Sequence, residues 1–564
     1  GNTGITIRSG NTHNGVIQFS DGTSGTNEYA GFIDYDHNIN LLKFGTASLP
    51  RFQIDSSGNV QIPNDSGKLQ LGASQDLEIF HDGSVSRIKD VGTGGLFITT
   101  DSFNLKSTIG ENILKGIQDG AVELYFNGIK KFETTSTGVS VTGGIVGSTD
   151  ATINGVTIGK GANSVTTNTV LGVNALDANT TGDFNVAVGY EALTTNTSGQ
   201  YNVAIGRFAL ASQSTSNFNV GIGLNSLFAN TGNDNTAIGA QSLKGNTTGT
   251  QNVSVGKDCL FGNTTGNNNV GVGYQALVTN TTGGSNVALG YAALDANTTG
   301  SNNTAIGAAA LDANTTASNN TAVGQNALGG CSTGDSNVAV GMGAGMSLTT
   351  ANSLVAVGRD SAHNTTTGIG NTALGRSSLY SNQTGNYNIA IGQSSLQNNT
   401  NNNNVAAGFE SLKSNTNAPN NTAIGHQALK ANTTAANNTA VGSEALLSNQ
   451  TGTENVAIGR KTLRVNTTSN NTAVGSNALF ANTTGAGNVA VGTFALDANT
   501  TANNNIGIGY FSLSNNTTGT RNIAIGTSAL LANTTGDNNT AIGYNALVAN
   551  TTADGNTAVG YVAL

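Results

Sequence analysis

From Asn168 to the last residue, apolar and polar positions follow one phrase written repeatedly: "NVAVGYEALTTNTSG" from Asn185, "NVAIGRFALASQSTS" from Asn202, "NTAIGAAALDANTTA" from Asn303. The glycine of "AVG" or "AIG", the repeat glycine, occurs at 24 positions, from Gly172, Gly189 and Gly206 to Gly543 and Gly560. Its spacing is 17 residues, falling to 16 only before Gly239, Gly408 and Gly475. A short fixed period predicts a solenoid. Seventeen residues cannot hold a helical hairpin, and each phrase carries a turn-like "NTTG". The expected coil therefore has two short strands, "NVAIG" and the segment around "AL", each paired with its copy in the next coil. Stacked about 4.8 Å apart, two dozen coils make a rod of about 115 Å.

Position-specific variation indicates where side chains point. The residue before the repeat glycine is Val, Ile or Leu in every coil but one, where Ala407 stands. The residue before that is small, as in Ala187, Ala204, Gly221 and Ser254, with Val170 the one large exception. Adjacent strand residues face opposite sides, so one face carries aliphatics and the other a row of alanines. Two apolar faces suggest a cover on the outside as well as the inside. Either another copy supplies it, or alanine keeps an exposed face slim. Three residues after the glycine another small residue recurs, and a leucine follows in all coils but two, where Gly345 and Ala362 replace it. The residues immediately after the glycine drift, as solvent-facing positions do.

Two columns are asparagine. Four residues before the glycine, Asn fills 23 of the 24 coils, with Leu354 the exception. Asn185, Asn202, Asn219, Asn235, Asn252, Asn269, Asn286 and Asn303 belong to this column and are the predicted structural ladder. Seven residues after the glycine a second column runs through Asn179, Asn196, Asn230 and Asn246 to Asn550. Stacked amides donate and accept along a ladder, and asparagine tolerates the left-handed backbone of tight corners. The pattern breaks once, between Gly324 and Gly375. There Cys331, Leu348 and Thr365 replace the corner asparagine, and Met342 and Met346 occur. Because the 17-residue spacing persists, the expectation is an unbroken solenoid whose lost leucines are refilled by Met346 and Leu348.

Before residue 150 there is no such period. "GVIQFSDG", "RFQIDSSGNVQI", "DLEIFHDGSVSRIKD" and "AVELYFNGIKKFETTSTGVSVTG" read as short strands between Gly, Asn, Asp and Ser turns. Val122, Leu124 and Phe126 alternate with Glu123, Tyr125 and Asn127, as in half-buried strands. These segments are short and polar, and gain stability by interleaving with other chains. The organisation is thus a β-rich fibre segment over 1–63, a second over 64–150, a transition over 151–167 and the solenoid over 168–564. The fold class is all-β, a parallel β-solenoid preceded by short-stranded fibrous β structure.

Composition narrows the function. A net charge of −9, with 22 Lys and Arg against 31 Asp and Glu, argues against a nucleic-acid partner. No apolar run approaches the roughly 18 residues of a membrane span, so membrane insertion is not expected. The chain opens without an initiator Met or signal sequence and stops at "VGYVAL", within a repeat, which reads as a piece of a longer polypeptide. With two cysteines, Cys259 and Cys331, there is no disulfide framework. Cys259 takes a small-residue slot and is expected buried; Cys331, in "GGCSTG", is expected at an exposed corner.

Candidate chemistry is thin. His13, His37, His81, His363 and His426 are scattered without metal-ligand spacing. "DYDHN", with Asp34, Asp36 and His37, reads as a polar turn before it reads as a cation site. No phosphate cradle, acid/base pair or nucleophile constellation stands out, so neither catalysis nor a cofactor is expected. Rows of Thr beside the corner asparagines are also what an ice-binding solenoid presents, a remote alternative.

Two resemblances add to this. "NVAVGYEALTTN" and its copies resemble the "AIG-x-x-A" repeat of the heads of trimeric autotransporter adhesins. This implies a left-handed β-roll associating as a homotrimer; the familiar adhesin coil is shorter, so the likeness covers the core and not the "NTTG" corner. "RFQIDSSGNVQI", "DLEIFHDGSVSRIKDVGTGGLFI" and "AVELYFNGIKKFETTSTGVSVTG", roughly residues 50 to 145, resemble tail-fibre proteins of marine bacteriophages, notably those infecting cyanobacteria. In related fibres a self-cleaving chaperone domain often follows at the C-terminus. The implied function is a non-catalytic virion fibre for host attachment, extracellular, whose partners are its own copies and a cell-surface glycan or protein receptor. The alternative is a bacterial surface adhesin.

Overall fold

The computed structural model describes residues 4–20, 30–64, 67–143 and 150–564. The chain divides into two units, residues 1–146 and 147–564.

The first unit holds three antiparallel sheets, each a meander of sequential strands. The first comprises Gly15–Phe19, Gly31–Asp36, Leu41–Thr46, Leu49–Ile54 and Val60–Gln61. The second comprises Lys68–Leu71, Leu77–His81 and Ser86–Asp90; the third, Ser102–Lys106, Asn112–Ile117, Val122–Phe126, Ile129–Thr135 and Gly138–Val141. Tight turns at Gly, Asn and Asp set these connections, with Asn40, Asp119 and Asn127 at positive φ.

The second unit is the solenoid. Ala151–Ile153 and Val156–Gly159 pair antiparallel and lead into Thr169–Gly172. From there every strand pairs parallel with its copy in the next coil: Val186 with Val203, Ala187 with Ala204, Val188 with Ile205, and onward to Thr540 with Thr557. The register never slips. Where a coil has only 16 residues the missing residue is taken from the corner, so Val220 still meets Thr236.

Each coil has one three-residue strand, not two. The segment around "AL" is a run of turns. It is still tied along the axis: the Leu294 N–H donates to the Ala310 carbonyl at 3.0 Å, and Thr298 to Thr315 at 2.8 Å. What prevents a strand is left-handed backbone. In the coil around Gly307, Asn302, Ala309 and Leu311 have φ of 59°, 52° and 53°. Other coils place Phe, Glu, Ser or Leu at the same points. The ladder asparagines are therefore not the left-handed corner residues. A non-glycine residue in this region costs roughly 1–2 kcal/mol, and it persists because the surrounding coil fixes it.

The inward direction also differs from expectation. The row of alanines lies inside the coil, with Ala187, Ala204, Ala305 and Ala322 wholly buried. The aliphatic column before the repeat glycine points outward and is part-exposed, as in Ile205, Ile391 and Ile542. A coil this short encloses little volume. One leucine per coil, such as Leu294 or Leu311, fills it together with two small side chains, and a second row of Val or Ile inside would overpack it. Neither the alanine row nor the leucine row needs another chain to cover it.

The repeat glycine is fixed by the stacking distance. Gly307 has φ 133°, and a Cβ there would lie 2.6 Å from the carbonyl carbon and 2.7 Å from the oxygen of Gly324 in the next coil. Backbone, not a movable side chain, occupies that space.

Gly307→Ala is therefore expected to cost at least about 2 kcal/mol through strain and the forced separation of two coils. Ala308→Lys, on an exposed position one residue away, stays within about 0.5 kcal/mol of the parent. Thermal unfolding followed by far-ultraviolet circular dichroism checks both.

Candidate functional site

Inside the coil the polar chemistry belongs to the two asparagine columns, both buried. In the coil of Gly290, Asn286 Nδ2 donates to the Gly300 carbonyl at 2.9 Å and Asn297 Nδ2 donates to the same carbonyl at 3.0 Å. Two amides from opposite ends of the coil thus clamp one carbonyl and close the corner. Along the axis, the Asn286 N–H donates to Asn269 Oδ1 at 3.0 Å, and Asn286 Oδ1 accepts the Asn303 N–H at 3.0 Å. Asn297 Nδ2 also reaches Asn280 Oδ1 at 2.7 Å. The same geometry joins Asn185 to Asn202, Asn202 to Asn219, Asn219 to Asn235 and Asn235 to Asn252. Asn269 follows from Asn252 in the same way. Each amide satisfies buried backbone groups that no strand partner reaches, so a substitution strands polar atoms at about 1–3 kcal/mol each. In the 16-residue coils the clamp shortens: Asn230 reaches Gly232, Asn399 reaches Asn401 and Asn466 reaches Thr468, each two residues on.

The threonine next to the corner asparagine is also engaged. Thr281 Oγ1 donates to the Thr298 carbonyl at 2.9 Å, and Thr298 Oγ1 to Thr315 at 3.0 Å. One of the two Thr rows thus spends its hydroxyl protons on the coil itself.

The outer columns carry variable side chains, and the axial repeat brings like residues into contact. Phe184, Tyr201 and Phe218 stack with ring centroids 5.0 Å apart. Tyr274 stacks on Tyr291, Phe494 on Phe511, and Tyr544 on Tyr561. Within such a stack the rings cover one another's faces and present edges to solvent. Charge is arranged in the same manner. Glu410 is held between Lys413 Nζ and Lys430 Nζ, each at 2.7 Å, and hydrogen bonds from these two ammonium groups push its pKa down to about 2. Burial raises the carboxyl pKa of Asp295, and burial together with the charge of Asp295 raises that of Asp312.

The histidines lie at separate points. His13 contacts Thr12, His37 packs edge-on against Tyr35, and His81 meets Ser86. His363 stacks on Tyr380 and His426 on Phe409. Asp34 and Asp36 bracket the Lys43 ammonium at 3.6 Å each, so a protein cation already sits between them. Among the described residues no group of three or more His, Cys, Asp or Glu side chains converges on one point. Cys259 is buried, and Cys331, expected at an exposed corner, is buried as well; loss of hydration pushes both thiols up to about 11. Cys331 Sγ reaches the Gly334 carbonyl at 3.3 Å, standing in for the clamp amide.

The one break in the pattern is absorbed without a hinge or an excursion. Val338–Val340, Val355–Val357 and Thr372–Leu374 keep the common register. Met342 and Met346 face outward, so Met346 is not the filler. The space left by Gly345 is shared by Leu328 and Leu354, whose Cδ2 atoms lie 2.9 and 3.1 Å from where a Cβ on Gly345 would stand; Leu348 is buried as well. The departure from asparagine at Leu354 and the departure from leucine at Gly345 are thus one exchange of volume. The lost corner asparagines leave their own mark: Cys331 has no amide to donate to Asn314 Oδ1, and Asn314 Oδ1 and Thr365 Oγ1 are buried without a hydrogen-bond partner. In the sequence Leu354 reads as an interruption of the asparagine column, and its size is the signal that it fills the core.

Compared with known proteins, the chain matches no family model, no curated protein and no solved structure.

The exchange of volume predicts strong coupling. Leu354→Asn alone opens a cavity and Gly345→Leu alone overpacks it, each costing on the order of 2 kcal/mol. Gly345→Leu with Leu354→Asn restores the common coil and recovers most of that loss. A double-mutant cycle on unfolding free energies measures the coupling, and additive losses would contradict it.

Proposed function

We propose that the chain is a structural fibre of a virion, a tail-fibre shaft that serves host attachment without catalysis. One observation carries this reading. Every fixed column of the repeat except the outward aliphatic one is accounted for by closing, filling or stacking the coil, which leaves the variable outward columns for recognition. Such a protein is a scaffold that holds side chains at a fixed axial repeat. The likeness of residues 50 to 145 to phage fibre segments supports the virion over other settings. The receptor is a cell-surface glycan or protein, met through ring edges, amides and charges of the outer columns; nucleic acid and the membrane interior are not partners.

The working form is a homotrimer. The outward Val, Ile and Leu column before the repeat glycine supports it. That column is aliphatic in every coil but that of Ala407, although it is part-exposed in one chain. A face of this kind, continuous over two dozen coils, exceeds what isolated soluble chains ordinarily leave open.

The "AIG-x-x-A" likeness favours a second reading, a trimeric adhesin on a bacterial surface. Immunogold electron microscopy with antibodies raised against residues 168–564 separates the two. Gold on the tails of virus particles is the expected result. Gold on the envelope of uninfected bacteria would replace the first reading with the second.

A further inference from the structure

In all three sheets of the first unit the burial of charged and apolar residues is reversed. Glu123 is 8% exposed while its neighbours Leu124 and Phe126 are 41% and 67% exposed. Glu78 is 7% exposed beside Ile79 at 39%, and Ile88, its partner across the strand pair, is at 60%. Asp34 is 8% exposed, whereas Phe52 and Ile17 lie above one third.

Register explains the reversal. In the third sheet Leu105, Leu114, Leu124, Phe132 and Val141 are successive cross-strand partners and form one apolar row over five strands. Glu123 lies on the other face, where Tyr125 and Lys130 hydrogen-bond it at 2.7 and 3.1 Å. In the second sheet Leu69, Ile79 and Ile88 form the row, and Glu78 with Lys68 occupies the reverse. In the first, Ile17, Ile33, Phe44 and Phe52 form the row, and Asp34 with Lys43 lies opposite. Each sheet thus has a face on which charged side chains pair with one another and an uncovered apolar face, although Asp34 keeps one oxygen without a partner. Among the described residues, strands of different sheets of this unit share no extensive packing; Phe52 of the first sheet and Leu69 of the second only line one open cleft.

We propose that these three apolar faces are the surface through which copies of this chain associate, each face packing against the same face of the neighbouring copies. The inference rests on the oligomeric fibre reading and names where the copies are held. Two observations select a second copy as the occupant. The uncovered faces form a series of five, three and five strands within one chain, and a parallel copy supplies the same series in the same order. A different partner would have to match all three. The area is also adequate: at about 4.8 Å per strand and 3.3 Å per residue the faces sum to about 1,000 Å². A stable association needs about 800 Å² from each partner. A sheet with one face closed by its own ion pairs and one open apolar face is a half-layer, and its own copy is the complementary half.

Single cysteines test this in the full chain. Both native thiols are buried, so an introduced cysteine is the reactive one. Leu124→Cys and Ile79→Cys, at the centres of two rows, are expected to give chain-to-chain disulfides on mild oxidation. Ser140→Cys, on the charged face of the third sheet, is expected to stay uncrosslinked. Circular dichroism of each variant confirms that the β structure is intact, and Phe126→Cys serves if Leu124→Cys disturbs the sheet. An oligomeric mass by sedimentation with Leu124→Cys and Ile79→Cys remaining free thiols would overturn the inference while leaving the oligomeric fibre standing. A monomeric mass for the parent chain would remove both.

Discussion

The solenoid depends on one constraint: each coil must hydrogen-bond its neighbours along the axis at the strand spacing of about 4.8 Å. Almost every fixed letter follows from that distance. The repeat glycine is fixed because a Cβ would meet the next coil's carbonyl at 2.2 to 2.9 Å along most of the column. The corner is closed by two amides on one carbonyl because a three-residue strand cannot satisfy the remaining backbone groups itself. The aromatic stacks and the Glu410 cluster are the same distance read on the outside, where like or opposite side chains in one column come into contact.

Conformational cost and hydrogen bonding are balanced within each coil. Most coils hold three left-handed non-glycine residues, each unfavourable by about 1–2 kcal/mol, and glycine takes some of these positions in the coils of Gly341, Gly375, Gly492 and Gly560. They turn the chain so that the leucine and two small residues point inward, and they align the turn segment for axial bonds. Because every coil repeats the arrangement, an irregular coil is held in register by both neighbours. The exchange of Leu354 for the volume missing at Gly345 illustrates this. Across the break Leu348 and Leu354 bring buried apolar side chains where Gly345 and Ala362 take leucines away.

Much of the architecture is legible in the letters. The period, the parallel stacking and the persistence of the solenoid through the break follow from the spacing of the repeat glycines. Which strand face is inside does not. Alternation distinguishes two faces, but only the narrowness of the lumen puts Ala305 inside and Ile306 outside. The left-handed positions are likewise hidden, because residues as different as Ala309, Asn326 and Phe494 occupy them, so no residue type marks the conformation. Cys331 reads as an exposed corner because asparagine in "NTTG" has the composition of a turn, while its role as a buried clamp shows only in the stacked coils. In the first unit, Val122, Leu124 and Phe126 announce an apolar face, but the lack of anything packed on it emerges only from the sheets themselves.

The coil is a self-sufficient unit built from inward columns, stacked without interruption from Gly172 to Gly560. Native-state hydrogen exchange, read coil by coil in the full chain, tests this most directly. The amides of Val287, Gly290, Leu294 and their counterparts are expected to be protected throughout the interior of the array, with protection falling only towards its ends and no gap between residues 341 and 363. Rapid exchange of those amides across the interior, or a block of unprotected coils at the break, would contradict it.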